Sequence, residues 1–229
     1  MNDTSAIQST GQSTGQSTGR AIGTSCLVAL ALLSLTLFAT SGCADRPGRI
    51  HHPHIDAGDA AREALVQYDT DGDQLLSQQE LQTCPGIVRS MSAVDTDGDG
   101  LVSESEIMHR VKFWQADSTA RVPVRIHIFV GRQPLAGAQV ELIPEVFLQP
   151  YLEAGAGTVG SSGFASISMP ETDPAGMACG FYQVRVTHPS LQVAEKYNEN
   201  TTLGLEVNAD MATGWTPIVF QVETARKAG

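Results

Sequence analysis

Bases are scarce in this chain. Its 229 residues hold 25 Asp and Glu but only 14 Lys and Arg, a net charge of −11. Only Lys112, Lys196 and Lys227 are lysines. No basic stripe forms, and this excludes the electrostatic footprint of a nucleic-acid binder. Hydrophobic length is also short. The apolar run Leu27–Ala39 has 13 residues, too few to cross a ~30 Å hydrocarbon core as a helix. The sequence has no Gly-x-Ser-x-Gly elbow, no glycine loop of the phosphate-cradling kind and no His-Glu-x-x-His. Its Ser, His and Asp residues fall at no spacing that marks a triad, so it is not expected to be an enzyme. The lysine shortage also excludes a Lys–Asn cross-link of the collagen-adhesin type, because the strand that would need the lysine carries Arg125.

The beginning of the chain concerns address. Residues 1–19 are a Ser/Thr/Gln/Gly-rich, low-complexity prefix. Arg20 and the apolar run follow, and then the small residues Thr40-Ser41-Gly42-Cys43. One positive charge, a short apolar stretch and small residues after it are the pattern of a cleaved signal peptide, here residues 1–42. Its end resembles the bacterial lipobox, which implies lipidation at Cys43 and a membrane anchor through that lipid. Thr40 stands where Leu is usual, so ordinary secretion remains the alternative. Both place the mature chain outside the cytoplasm, anchored to the cell envelope or secreted. Residues 43–56, with Pro47, Gly48, Pro53 and three histidines, read as a flexible tether. Cys84 and Cys179 would be left in an oxidising compartment, either paired or simply buried.

The most informative feature is present twice. Asp69-Thr-Asp-Gly-Asp-Gln-Leu-Leu-Ser-Gln-Gln-Glu80 and Asp95-Thr-Asp-Gly-Asp-Gly-Leu-Val-Ser-Glu-Ser-Glu106 start 26 positions apart. Each has carboxylates at positions 1, 3, 5 and 12, a hydroxyl at 9 and an aliphatic residue at 8. Between Asp56 and Glu106 lie twelve acids against Arg62 and Arg89, so nearly all the net charge is local to this segment. The spacing resembles that of EF-hand calcium loops, in which a hard cation takes 6–8 oxygens. The resemblance implies two Ca2+ sites. Their ligands would be Asp69, Asp71, Asp73, Leu75 through its carbonyl, Ser77 and Glu80, and Asp95, Asp97, Asp99, Leu101 through its carbonyl, Ser103 and Glu106. Leu76 and Val102 are expected to pair as short strands, and Gln74 is expected to take a positive φ where the second loop has Gly100. Leu65, Tyr68, Met91, Val94, Ile107 and Val111 supply apolar flanks at helical spacing. Pro85-Gly86 keeps the helices between the loops short. The segment 57–114 is therefore expected to be a small all-α unit.

From Val122 the texture changes. Val122, Val124, Ile126, Ile128 and Val130 alternate with other residues, as a half-buried strand requires. A turn at 131–134, a strand through Ala138, Val140 and Leu142, a long excursion over 145–157, and strands at 164–169, 181–186 and 218–222 follow. Short strands with Gly/Pro punctuation predict a β-sandwich over 121–223, ahead of a disordered tail at 224–229. The stretch Gly131-Arg-Gln-Pro-Leu-Ala-Gly-Ala-Gln-Val140, then Ser162-Gly-Phe164, then Gly180-Phe-Tyr-Gln-Val-Arg-Val186 resembles the carboxypeptidase regulatory-like (transthyretin-like) domain. Glu195–Asn198 and Leu203–Val207 are similar to the tail of small planctomycete-type lipoproteins that carry it. These motifs are turn and core residues, so the resemblance implies a fold and carries over no catalytic residue.

The chain is thus expected to be α+β and multidomain: an EF-hand pair followed by a transthyretin- or Ig-like sandwich. The function expected is a calcium-binding envelope lipoprotein whose sandwich mediates adhesion or contact with a protein or glycan. The alternatives are a structural module rigidified by Ca2+ and an accessory subunit of an extracellular enzyme.

Overall fold

A computed structural model describes residues 52–117, 119–170, 175–213 and 217–224. The leader, Cys43 and the residues after Thr224 lie outside the described residues. The described residues belong to one compact unit, Ile50–Gly229. It is α+β, with a small helical part followed by two four-stranded sheets.

The helical part starts where the tether was expected to be still free. Ile55 is buried, and Asp56 caps helix α1 (Ala57–Tyr68) by accepting from the N–H groups of Gly58 and Asp59. Ala57, Ala60, Ala61, Ala64 and Tyr68 form the buried stripe of α1, small enough for α4 to lie close. A 3₁₀ turn (Glu80–Thr83) follows, then α2 (Pro85–Arg89), which opens on proline where the missing N–H is harmless. Helix α3 (Met91–Val94) is a single turn. Helix α4 (Glu104–Ala116) starts on a capping box in which Ser103 and Glu106 each bond the other's backbone. Its buried stripe is Ile107, Val111 and Trp114. The short helices between the loops match the expectation from Pro85-Gly86.

Strands β1 (Leu75–Leu76) and β2 (Val102–Ser103) pair antiparallel, with Leu76 opposite Val102 as expected. Strand β3 (Val124–Val130) pairs antiparallel with β7 (Phe164–Ile167) and with the two-residue β4 (Gln133–Pro134), and parallel with β10 (Ile218–Gln221). The second sheet runs β6 (Gly155–Thr158), β5 (Gln139–Pro144), β8 (Gly180–Thr187), β9 (Gly204–Val207). Ala156 and Ser168 exchange backbone bonds, which links the two sheets at one edge. Gly157 allows this approach, because a Cβ there would lie 2.3 Å from the Ser166 carbonyl oxygen.

Three strands were not foreseen, the first being β4, which lies inside the expected turn at 131–134. Strand β6 lies in the presumed excursion, where Gly155-Ala-Gly-Thr158 shows no alternation, and β9 carries a glycine and four buried positions in a row. Pro144 is the last paired residue of β5, opposite Tyr182.

The helical part and the sheets share one core. Trp114 meets Phe181 edge to face with ring centroids 4.7 Å apart, and Tyr68 meets Phe147 at 6.3 Å. Helix α2 lies so close to β9 that a Cβ on Gly204 would fall 1.9 Å from the Pro85 carbonyl oxygen. The Gly86 N–H donates to Glu145 Oε1 at 2.7 Å. Across the same joint, Arg110 Nε and Trp114 Nε1 both donate to Glu206 Oε1 at 2.7 Å.

Candidate metal centre

Each acidic loop is a scaffold of carboxylates bonded to backbone N–H groups, and the two scaffolds agree position by position. In the first, Asp69 accepts from Gly72 N at 2.7 Å and Gln74 N at 3.0 Å. Asp71 accepts from Asp73 N at 3.2 Å, and Asp73 from Leu75 N at 2.8 Å. In the second, Asp95 accepts from Gly98 N at 2.6 Å and Gly100 N at 3.0 Å. Asp97 accepts from Asp99 N at 3.2 Å, and Asp99 from Leu101 N at 2.8 Å. Short Asp side chains reach their own loop's amides in this way and hold a chain of tight turns.

The turns need left-handed backbone. Gly72, Gly98 and Gly100 have φ of 80°, 77° and 84°. Gln74 takes φ 67°, the one non-glycine positive φ among the described residues, at the position of Gly100 in the other loop. The strain predicted from sequence is therefore present.

Within each loop, carboxylate oxygens of the three aspartates come within 4.8 Å of one another: Asp69, Asp71 and Asp73, and Asp95, Asp97 and Asp99. The first aspartate of each trio is half-buried and the others are exposed. Among the described residues no Lys or Arg makes an ion pair with any of the six. Three like charges at this separation repel one another unless a cation or protons offset them.

Glu80 and Glu106 stand outside the trios and lock the loop ends. Glu80 Oε1 accepts from Thr70 N and Oγ1 at 2.7 and 3.0 Å, and its Oε2 from Ser77 N and Oγ, both at 2.8 Å. Glu106 repeats this with Thr96 at 2.8 and 3.2 Å and Ser103 at 2.9 Å to both groups. Donation by Ser77 and Thr70 brings the Glu80 carboxyl down to about 2. Burial pushes Glu106 up, but donation from Ser103 and Thr96 outweighs it and leaves that group below its ordinary value. Both stay ionised in neutral solution.

The structure thus brings together the aspartates expected from sequence. It places Ser77 and Ser103 on the glutamates, and Leu75 opposite Ser103 in the strand pair that joins the loops. The donor role of Thr70 and Thr96 was not foreseen. Its signal lies in the sequence, since Thr follows the first Asp in both copies. Oxygen donors alone, with no thiolate or imidazole, fit a hard divalent cation.

Cys84 and Cys179 are buried free thiols, which resolves the open pairing in favour of apolar burial. Compared with protein-family models, with curated proteins and with solved structures, the chain has no match.

Proposed function

We propose that the chain binds two Ca2+ ions, one in each loop of an EF-hand pair. The observation that carries this is the convergence of two aspartate trios, without basic partners, on duplicate hydrogen-bonded scaffolds. In each loop the trio, the position-7 carbonyl of Leu75 or Leu101, the position-9 hydroxyl and the position-12 glutamate would supply the 6–8 oxygens that Ca2+ takes. The two ions would offset eight carboxylates, four in each loop: Asp69, Asp71, Asp73 and Glu80, and Asp95, Asp97, Asp99 and Glu106. The Asp95–Glu106 loop would bind more tightly, because Gly100 bears its positive φ without the strain Gln74 carries.

Titration calorimetry on the wild type and on Glu106→Gln and Glu80→Gln tests this. Two ions per chain are expected, with the larger loss of heat at low calcium in Glu106→Gln. One ion, none, or the opposite ranking of the variants would refute the assignment.

The sheets are proposed as a carboxypeptidase regulatory-like sandwich on an exported chain, lipidated at Cys43, that contacts a protein or glycan. Labelled fatty acid should enter the native chain and not Cys43→Ser. A second reading, Ca2+ as a purely structural stiffener, is favoured by the core that the helical part shares with the sheets.

A further inference from the structure

The outward face of the sheet built on β3 differs from the rest of this acidic molecule. Burial alternates along β3, so that Ile126 and Ile128 face inward while Arg125, His127 and Phe129 face outward. Register places Phe164 of β7 and Val219 of β10 on either side of His127. Phe164 is 37% and Val219 43% exposed, high for large apolar side chains. The His127 and Phe129 rings lie nearly parallel, 5° apart with centroids at 6.3 Å, and Phe164 adjoins His127 at 5.8 Å. The Arg125 guanidinium stands 5.9 Å from the centre of the Phe164 ring and has no carboxylate partner among the described residues. The other outward positions of the paired strands, Pro134, Ser166 and Gln221, are uncharged, and the next outward residue beyond β10, Glu223, is paired with Lys196.

We propose that this face is a binding platform for a short acidic oligosaccharide, with pyranose rings stacked on Phe164 and the His127–Phe129 pair and a uronate carboxylate held by Arg125. The inference rests on reading the sheets as a contact module, not on the metal sites. An aromatic face is electron-rich and suits the C–H face of a sugar ring. Arg presents a planar fork that matches a carboxylate.

Size and charge select this occupant. Three strands about 4.8 Å apart, read over the four-residue step from Arg125 to Phe129, give a patch of roughly 10 by 13 Å. That is far below the ~800 Å² each partner contributes to a stable protein pair. One arginine suits a single carboxylate, and the chain has no basic stripe of the kind a nucleic acid needs.

The test uses the chain without its expected leader, residues 43–229, at fixed free calcium, with trigalacturonate and the neutral maltotriose as probes. Amide resonances of β3, β7 and β10 should shift with trigalacturonate, and maltotriose should bind about tenfold more weakly. Arg125→Gln should weaken trigalacturonate about tenfold and leave maltotriose unchanged. Phe164→Ala should weaken both, and Val219→Asp should do the same through a second, exposed position. Calcium titration of these variants should match the wild type. The proposal falls if neither sugar shifts these strands, or if anionic vesicles, oligothymidylate or a second copy of the chain binds there more tightly. A second copy on the face would still leave the sheets as a contact module.

Discussion

At the residue scale, one carboxyl behaves unlike the acids of the two loops. Glu145 is fully buried where α2 meets β8, accepting from Gly86 N at 2.7 Å and Gln183 Nε2 at 3.0 Å. Burial drives its carboxyl up to about 7, against the pull of those donors, and the buried Tyr68 and Cys84 lie beside it. Between its ordinary value near 4.5 and about 7, the folded chain holds a proton that the unfolded chain has released. Stability therefore falls as pH rises through that window and levels off above it, by roughly 3 kcal/mol in all. Urea unfolding from pH 5 to 8 at saturating calcium should show this decline, and Glu145→Gln should flatten it. An unchanged slope in the variant would assign the effect elsewhere. At Gln74 the expected direction is opposite. Gln74→Gly removes the strain of φ 67° while keeping the N–H that bonds Asp69. A gain of roughly 0.5–1 kcal/mol in the calcium-loaded chain is expected. A lowered melting temperature would mean that the Gln74 side chain contributes more than its backbone strain removes. This residue was legible in advance because the second loop displays the unstrained solution. Glu145 was not, because nothing local distinguishes it from a surface glutamate after a proline.

Elements were legible where a single period governed them. The helical spacing of Ile107 and Val111 in α4 and the alternation of β3 are local patterns, and each formed close to where its residues indicate. Strands β6 and β9 escaped because their glycines are chosen for a neighbour that only tertiary structure supplies. Gly204 is the clearest case. Its hydrogen leaves room for the Pro85 carbonyl, and Gly86 on the facing helix sits against the Phe181 Cβ and the Tyr182 backbone. Gly204→Ala sets a methyl 1.9 Å from one backbone atom and 2.4 Å from another. No rotamer can relieve a backbone clash, so α2 and β9 must separate, at a cost of about 3 kcal/mol, the upper end of overpacking effects. Gly160→Ala is the matched control, since its nearest atom would be 3.7 Å away. Comparing denaturant midpoints of the two variants checks this. Equal midpoints would show that the close approach adds nothing to stability.

For the whole molecule, the question is how far ions at the proposed calcium sites would act. Sequence alone suggests a helical segment that loosens without metal while the sheets stay folded, since each part has its own hydrophobic period. The structure adds what ties them: Trp114 on Phe181, the pair of donors on Glu206, and α2 seated on β9. Arg110 and Glu206 are 14% and 5% exposed, so this pair and the apolar contacts around it form and are lost together with the joint. Loss of the ions, which restores repulsion among eight carboxylates, should therefore be felt beyond the loops. Linkage sets the size. Each site at a free calcium 100 times its Kd contributes about 2.7 kcal/mol, and two independent sites about twice that. The expected outcome is one cooperative thermal transition that moves upward with calcium. Hydrogen exchange in chelator should then lose protection at Val184–Val186 and Leu205–Val207 together with α1 and α4. If the loss stops at α4 and the sheet amides keep their calcium-loaded rates, the joint transmits nothing, and the metal stabilises the helical part alone.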